Sequence, residues 1–560
     1  MPRFHILSTI LLTVLFAACS PGPEAQDVVA ISIIGTNDVH GAMTAEGDLG
    51  GLVSFSARVD ALREARKSDG GDVLLIDAGD MWQGTLESNL SEGAAVVQVY
   101  NEIGVTAATI GNHEFDFGPE GPKSIPVDAT DDPRGALKKR ITEAQFPMLA
   151  ANLLDTSTGQ PVQWERVRPS VMIESAGIKV GIIGVMTSHA LVTTIAANTT
   201  GLDIEPLADA ITREARQLRD SGATLIIVAA HAGGRCEDFS DPNDPSSCAM
   251  NAEIMQVANA LEPGLVDHIV AGHNHNPIAH VVNGISITSN KSKIHTFGRA
   301  DFYIDRTSGK TIGRKVFPPQ GNTVDMAEVY EDHELTPNPE VVRIAEAARA
   351  RAVELKERKL GVRLAEPFDL EPDIESAISN LFTEALLDSF DADIAIHNVF
   401  GGIRNGLPAG ELEYGAVYEM FPFDNIVSIH EISGEDLRRI IARKAAISRK
   451  AGFAGMRVFV TCDESGMQVK MRLNDGREIR DEDRVRVIAN DFLALGGDDI
   501  LTPAIPPGGF KLRYDMPTTR DVLVDWFERQ DGTLHAADFV SHSAPKWNGT
   551  NPLPPACQIQ

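Results

Sequence analysis

Positive charge is scarce in this 560-residue chain. It has 50 lysines and arginines against 79 aspartates and glutamates, and the formal net charge is −29. Such a charge disfavours nucleic acid and anionic membrane surfaces as partners. An anionic ligand would need a local positive site made by metal ions or arginines. Internal repeats are also lacking, and the length allows two or three domains with a sizeable core.

Long hydrophobic runs are missing too, apart from one at the N-terminus. Residues 6–18 form an apolar run after Arg3 and His5, too short to span a bilayer as a helix and typical of an export signal. The run ends Phe16-Ala17-Ala18-Cys19-Ser20, which resembles a bacterial lipobox. We predict a signal peptide over residues 1–19 with lipidation at Cys19. Simple export without a lipid is the alternative.

Cysteine is rare, with four residues beyond Cys19. An even number in an exported chain suggests disulfide bonds. Cys236 and Cys248 flank a polar, proline-containing loop and are predicted to pair. A bond between Cys462 and Cys557 is a second, separate prediction. Four free thiols are the alternative.

What the first half does contain is a recurring pattern of short apolar runs, each followed by polar side chains that can bind metal ions. The runs are residues 28–36, 73–76, 105–110, 224–230 and 266–271. Helical segments such as 51–66 and 209–220 separate some of them, which predicts a layered α/β domain. Because such sheets place sites at the carboxyl ends of their strands, these side chains are expected to converge.

Seven residues at these strand ends are candidate metal ligands: Asp38, His40, Asp80, Asn112, His231, His273 and His275. A lone Asp-x-His could be a solvated turn, and Asp77 could equally cap a helix, so Asp80 is preferred as a ligand. Two histidines that flank one residue after a glycine favour metal binding over a core role. The set lacks cysteine and suits Mn, Zn, Fe or a mixed pair of ions.

The segment Gly111-Asn112-His113-Glu114-Phe115-Asp116-Phe117-Gly118 carries a further pair. His113 and Asp116 are close enough in sequence for a hydrogen bond that fixes the imidazole tautomer. The histidines without a comparable context are interpreted as structural: His189, His268, His280 and His295.

The segments NDVHG, DAGD, GNHEFDFG, the His231 segment and GHNH, in this order, resemble the calcineurin-like metallophosphoesterases. More closely they resemble the exported 5′-nucleotidase family, over residues 28–540. The resemblance implies an α/β fold: a four-layer α/β/β/α metallophosphoesterase sandwich followed by a smaller α/β substrate-binding domain. The implied boundaries are 1–19 for the signal, 28–330 for the metallophosphoesterase domain, 331–363 for a linker helix, 364–545 for the C-terminal domain and 546–560 for a tail.

The same resemblance assigns roles. Asp38, His40 and His275 would bind one divalent ion, and Asn112, His231 and His273 the other, with Asp80 between them. His113 and Asp116 resemble the catalytic dyad. Asn338 with Pro339 predicts the start of a helix that runs to Lys359 and resembles the interdomain helix of the family; a surface helix within one domain is the alternative.

In the second half, four residues take the places of substrate contacts in the family. Arg404 lies in a GGIR turn whose arginine binds phosphate, since a guanidinium offers two donors to phosphate oxygens. Phe423 and Phe492 match two rings that sandwich a nucleobase, and Asp498 matches a carboxylate that binds ribose. Two distant phenylalanines could instead be core residues, but loops flanked by proline or glycine are unusual places for core rings.

Three positions depart from the family pattern. Val399 and Phe400 separate Asn398 from the glycines of the GGIR turn. Residues 371–373 (Glu-Pro-Asp) stand where an arginine is usual, and Leu495 stands where an asparagine is common. These changes bear on substrate contacts, not on the metal ligands.

The predicted function is metal-dependent hydrolysis of phosphate monoesters by an activated water molecule. Nucleoside 5′-monophosphates are the leading candidate substrates. The same site acting on 2′,3′-cyclic nucleotides, nucleotide sugars or a non-nucleotide phosphate ester is one alternative. A non-catalytic surface lipoprotein that binds a ligand is another. The expected partner is a small phosphate ester and not nucleic acid, with membrane contact only through a lipid anchor facing the periplasm or cell surface.

Overall fold

The computed structural model describes residues 28–326, 329–370, 375–399, 401–446, 451–463, 466–513, 515–540, 545–549, 553–554 and 557. The predicted signal and lipidation site at Cys19, residues 371–373 and Phe400 lie outside the described residues. Every helix within the described part is too short or too polar to cross a membrane.

The first of two large sheets contains the N-terminal strand Val28–Thr36. That strand runs parallel to its neighbour Asp72–Asp77 and antiparallel to Thr296–Asp305. Across the sheet the order is Lys310–Val316, Thr296–Asp305, Val28–Thr36, Asp72–Asp77, Ala107–Thr109, Met148–Leu149 and Val167–Arg168, with Gln320–Gly321 paired to Thr296–Asp305.

The second sheet contains the other two strands that carry predicted ligands, and these strands are parallel to each other. Its order is Ile278–Val282, Ile285–Ser289, His268–Ala271, Leu225–His231, Ile178–Met186 and Ser170–Ser175.

The two sheets pack face to face, because one buried cluster joins side chains of both, including Ile31 and Ile76 from the first and Ile182 and Ile227 from the second. Helices cover the outer faces: Gly51–Asp69, Ala94–Ile103 and Gly135–Glu143 on the first sheet, Leu207–Asp220 and Glu253–Ala260 on the second. The predicted four-layer α/β/β/α sandwich is confirmed. Strands buried on both faces explain why the apolar runs show little alternation.

The helix Pro339–Lys356 links the two halves of the chain. The Asn338 side chain caps it by accepting from the Glu340 backbone N–H at 2.9 Å. Val341 and Ile344 lie in the core of the first half, whereas Ala352 lies in the core of the second. The helix ends three residues before the predicted Lys359, because Lys359–Leu364 is a strand.

The second half is a smaller α/β unit, as predicted. Its main sheet has the order Val427–Ser433, Arg484–Asn490, Ile394–His397 and Gly452–Ala454. Two three-stranded sheets consist of Gly410–Glu413, Lys359–Leu364 and Thr533–Leu534, and of Gly466–Leu473, Met456–Asp463 and Trp547–Gly549. The principal helices are Ala377–Ser389, Tyr414–Met420, Gly434–Ala446 and Thr519–Glu528. The exact domain boundaries remain predictions.

Both predicted disulfides are confirmed: Cys236 bonds Cys248, and Cys462 bonds Cys557. The first closes a loop between the strand that carries His231 and the helix Glu253–Ala260. The Cys236 backbone N–H also donates to the Pro277 carbonyl at 3.1 Å, two residues beyond His275. The loop is therefore joined to the backbone beside two predicted ligands.

Candidate dinuclear metal centre

The seven predicted ligands meet at the carboxyl ends of five strands. Asp38 and His40 follow Val28–Thr36, and Asp80 follows Asp72–Asp77. Asn112 comes after Ala107–Thr109, His231 is the last residue of its strand, and His273 and His275 follow His268–Ala271. The ligands of both sheets therefore lie together at the carboxyl ends of the parallel strands, which is where such sheets place their sites.

Asp38, His40 and His275 form the first group. The His40 Nε2 and His275 Nε2 atoms are 3.1 Å apart, and His275 Nε2 is 3.3 Å from Asp38 Oδ1. Asp38 is fully buried, yet its Oδ1 has no hydrogen-bond partner among the described residues. A buried carboxylate oxygen without a donor fits a cation ligand, because leaving it uncompensated would be costly.

Asp80, Asn112, His231 and His273 form the second group. The His231 Nε2 atom lies 2.9 Å from Asn112 Oδ1 and 3.2 Å from Asp80 Oδ2. His273 Nδ1 lies 3.1 Å from the same Asn112 oxygen and 3.2 Å from His231 Nε2. One carboxylate, one amide oxygen and two imidazole nitrogens therefore face a common point, as a divalent ion of borderline hardness requires.

Backbone carbonyls orient two of the imidazole rings. His40 Nδ1 pairs with the Gln83 carbonyl and His231 Nδ1 with the Ala78 carbonyl, both at 2.8 Å. A carbonyl only accepts, so each Nδ1 carries the proton and each Nε2 turns a lone pair inward. Lone pairs and carboxylate oxygens that face one another need a cation between them.

Electrostatics agree with a cation site. Burial lowers the pKa of His231, but the Asp80 carboxylate, together with Asp38 and Glu114, outweighs burial and raises that pKa to about 10. Burial lowers the pKa of the adjacent His273 to about 4. The carboxylate thus favours a positive charge beside it, which a divalent ion would supply in place of a proton.

Five of the seven residues have backbones in the left-handed region, with φ between 49° and 74°: Asp38, His40, Asp80, His273 and His275. Such a conformation costs a non-glycine residue about 1–3 kcal/mol and persists where the surrounding structure enforces it, typically at functional sites. The strain concentrates on the predicted ligands and supports a shared function for them.

Sequence reasoning missed the residues that hold these ligands. The buried Glu114 carboxylate accepts from the backbone N–H groups of Asp80 (2.8 Å), Met81 (2.8 Å) and Gly111 (2.7 Å). The Asn37 amide donates to Asp38 Oδ2 at 2.6 Å. Asn37 adjoins the ligand Asp38, and Glu114 lies two residues from the ligand Asn112, so their positions in motifs already singled out were the available signal.

Only glycine fits at position 111, because there is no room for a side chain. A Cβ at this position would lie 2.3 Å from Asp80 Oδ1 and 2.7 Å from the Asp80 backbone nitrogen. Any side chain here would push the central carboxylate out of place.

His113 and Asp116 form the predicted pair. His113 Nδ1 donates to Asp116 Oδ2 at 2.6 Å, and the Thr194 hydroxyl donates to Asp116 Oδ1 at 2.7 Å. Arg404 Nη2, from the second half of the chain, donates to His113 Nε2 at 2.7 Å. Because a guanidinium only donates, His113 is neutral in this conformation, with its proton on Nδ1.

The predicted substrate contacts lie on the wall of a cavity of about 270 Å³ that also touches Asp80, Asn112 and the His113–Asp116 pair. Arg404, Phe423, Phe492 and Asp498 all line it. The Phe423 ring stacks on the His113 ring, with centroids 5.7 Å apart and an angle of 26°. The Asn398 amide donates to Asp498 Oδ2 at 2.7 Å.

Polar contacts join the two halves of the chain at a neighbouring cavity, which shares His275 and Arg404 with the first. The Gln83 amide donates to the Pro422 carbonyl at 2.9 Å, and Lys356 pairs with Glu87 at 3.1 Å and Glu419 at 2.8 Å. Gln83 also supplies the carbonyl that orients His40. The backbone that supports one predicted ligand is therefore connected to the loop that carries Phe423.

The histidines predicted to be structural have other surroundings. His268 is fully buried in the second sheet, where its ring nitrogens contact the hydroxyls of Ser286 (2.9 Å) and Thr288 (3.3 Å). His280 is also fully buried, within the strand Ile278–Val282. Neither lies in either ligand group.

Comparison with known proteins agrees with this geometry. The calcineurin-like phosphoesterase family matches residues 31–277, and the 5′-nucleotidase C-terminal domain matches residues 362–504. Cell wall protein Lmo0130 of Listeria monocytogenes is 27% identical over 539 residues, which is 88% of this chain and 67% of that protein. A 5′-nucleotidase of Vibrio cholerae is 26% identical over 572 residues, which is 94% of this chain and 97% of that protein.

Among solved structures, a 5′-nucleotidase precursor from Thermus thermophilus has the same fold, with a TM-score of 0.71 at 20% identity over 93% of this chain and 99% of that one. Fold and site together define a metal-dependent phosphohydrolase of the calcineurin-like class, which uses two divalent ions. With its second matched domain, the chain belongs to the 5′-nucleotidase family.

Proposed function

We propose that the chain hydrolyses nucleoside 5′-monophosphates to a nucleoside and phosphate. One observation carries the substrate assignment: two phenylalanines, a carboxylate and an arginine from the second half line the same cavity as the His113–Asp116 pair and the metal-binding groups. Aromatic rings can stack on a nucleobase, a carboxylate can accept hydrogen bonds from ribose hydroxyls, and a guanidinium can donate to phosphate oxygens. The names of several relatives, 5′-nucleotidases of Vibrio, support the same assignment.

The metal ligands divide into two sets in this proposal. Asp38, His40 and His275 hold one ion, and Asn112, His231 and His273 the other. Asp80 would serve both ions. Its Oδ2 faces His231 of the second set, and its backbone carbonyl accepts from the His40 N–H of the first set at 3.0 Å. When bound, the two ions lower the pKa of a water molecule and neutralise charge on the phosphate.

The side chains around the scissile bond then have distinct tasks. Phosphate oxygens compete for the Arg404 donors and so release His113 Nε2 from its contact with Arg404. Asp116 keeps the imidazole in its orientation. Water oxygen forms the new bond to phosphorus and gives up a proton to solvent, while the bond from phosphorus to the nucleoside O5′ breaks. His113, once freed from Arg404, takes up a proton from solvent at Nε2 and donates it to that leaving oxygen.

The base-binding part of the proposal is tested with a substrate that lacks only the base. We expect Phe492→Ala to raise KM for AMP about tenfold and to leave kcat/KM for ribose 5-phosphate within twofold, because stacking on an aromatic ring is worth about 1–3 kcal/mol per base. Steady-state kinetics with both substrates measure the effect. Equal losses for the two substrates would exclude stacking on Phe492.

Export and lipid anchoring also belong to the proposal, with Cys19 as the modified residue and the enzyme facing the periplasm or cell surface. The support is the lipobox-like sequence and the confirmed disulfides, which suit an oxidising compartment. In a bacterial host, Cys19→Ala is expected to move the protein from the membrane fraction to the soluble fraction. A mature N-terminus without an acyl group, found by mass spectrometry of the unmodified sequence, would contradict lipidation.

A further inference from the structure

Asp491 is a buried carboxylate that has no role in the proposed mechanism. It is 1% exposed and lies between the strand Arg484–Asn490 and Phe492. Asp491 Oδ1 accepts two hydrogen bonds: from the Asn425 side-chain amide at 2.9 Å and from the Phe492 backbone N–H at 2.8 Å. The Asp491 backbone N–H donates to the Ile426 carbonyl at 2.9 Å.

These bonds join the two loops that carry the aromatic rings of the cavity. Residues 422–426 form the first loop, which contains Phe423. Residues 490–498 are called the second loop and begin with the short helical turn Asp491–Ala494, which contains Phe492. Asn425 is 5% exposed, so its amide is withdrawn from water and depends on Asp491 as a partner. A single oxygen of Asp491 thus holds one group from each loop.

Each loop is also held by a second contact. Arg520 donates to the Phe423 carbonyl at 3.1 Å and pairs with Asp424. Phe492 rests against Gly497, where a Cβ would come within 2.5 Å of three ring atoms. The first loop leads into Val427, which pairs with Asn490 at the start of the second loop, and the link through Asp491 continues that connection toward the two rings.

We propose that Asp491 is a positioning residue that sets the separation of the Phe423 and Phe492 rings, and so the preference of the enzyme for esters that carry a flat base. This inference rests on the proposed function, because it requires a base to bind between the two loops. Removal of the carboxylate leaves the Asn425 amide and the Phe492 N–H as buried donors without a partner, and the loops shift to satisfy them. The metal ligands belong to other loops and keep their places.

The experiment compares AMP with ribose 5-phosphate in Asp491→Ala, Asn425→Ala and the double variant. We expect each single variant to raise KM for AMP about tenfold, the loss expected for one stacked base, and to leave kcat/KM for ribose 5-phosphate within twofold. The double variant should lose no more than either single one, because both remove the same link. Asp491→Asn keeps one acceptor oxygen and should show a smaller rise in KM than Asp491→Ala.

Asp436→Ala is the matched control. Asp436 lies in the same half of the chain, and its carboxylate accepts from the Ser433 hydroxyl at 2.6 Å, away from the cavity. It should lower the melting temperature at most and leave the ratio of kcat/KM for AMP to kcat/KM for ribose 5-phosphate unchanged. If Asp491→Ala does not fold, Asn425→Ala and Asp491→Asn carry the test through the same ratio.

Two results would overturn the inference: an unchanged KM for AMP in well-folded Asp491 and Asn425 variants, or equal losses for the two substrates. Failure of the proposed function looks different, because the unmodified enzyme would then show no preference for AMP over ribose 5-phosphate. A Phe492→Ala variant that loses this preference while Asp491→Ala keeps it would defeat the role of Asp491 alone.

Discussion

Asp80→Asn is expected to lower kcat/KM for AMP about 10³-fold. An amide has a single acceptor oxygen, so the variant can no longer offer one anionic oxygen to each ion. Metal ions contribute several kcal/mol to stabilisation of the transition state, and each 1.36 kcal/mol is a factor of about ten in rate. Kinetics with saturating Mn²⁺, combined with elemental analysis of metal content, measure the loss.

Asp209→Asn is the control for this variant. Asp209 is an exposed carboxylate in the first turn of the helix Leu207–Asp220, remote from the strand ends. Its substitution should leave both activity and metal content unchanged. An Asp80→Asn enzyme with full activity and two bound ions would show that Asp80 does not serve both.

His113→Ala is expected to lower kcat about 10²–10⁴-fold, the range for loss of a placed acid or base, while both ions stay bound. The side chain contacts Asp116 and Arg404, whereas its backbone N–H, which the variant keeps, donates to Asp80 Oδ1. The substitution should therefore lower kcat much more than it lowers the metal content of the enzyme. Rapid-quench measurement of kcat and elemental analysis test the two parts separately.

His189→Ala provides the comparison, because His189 is an exposed histidine near the same loops and belongs to neither ligand group. It should behave like the unmodified enzyme. Loss of an ion in His113→Ala would mean that His113 had been misassigned as a catalytic residue and binds metal instead.

The metal centre could be predicted from sequence because its signal is local and repeated. Each ligand lies at the end of a buried strand or within a few residues of it, so strand recognition alone places each one at the carboxyl end of its strand. That the two sheets bring these ends together depends on their packing. The left-handed backbones of Asp38 or His275 could not be predicted, since they result from packing around the turns. Glu114 was missed for a similar reason, because its three backbone partners come from three separate positions of two loops.

Contacts between the two halves were the hardest to predict. The bond from Arg404 to His113 joins positions 291 residues apart and depends on how the halves pack against each other. Residues 119–135 form a polar, proline-containing segment, yet its Ile125 is buried against Ile195 and Ile426 from two other parts of the chain. A single isoleucine in a polar segment gives no periodicity from which such packing could be inferred.

Crystals grown with Mn²⁺ and measured at the manganese absorption edge test the central claim most directly. We expect two anomalous peaks about 3.5–4 Å apart with Asp80 between them. One peak should be bound by His40 and His275, the other by His231 and His273. A single peak, or two peaks with the His40 and His275 rings turned away from both, would contradict the account.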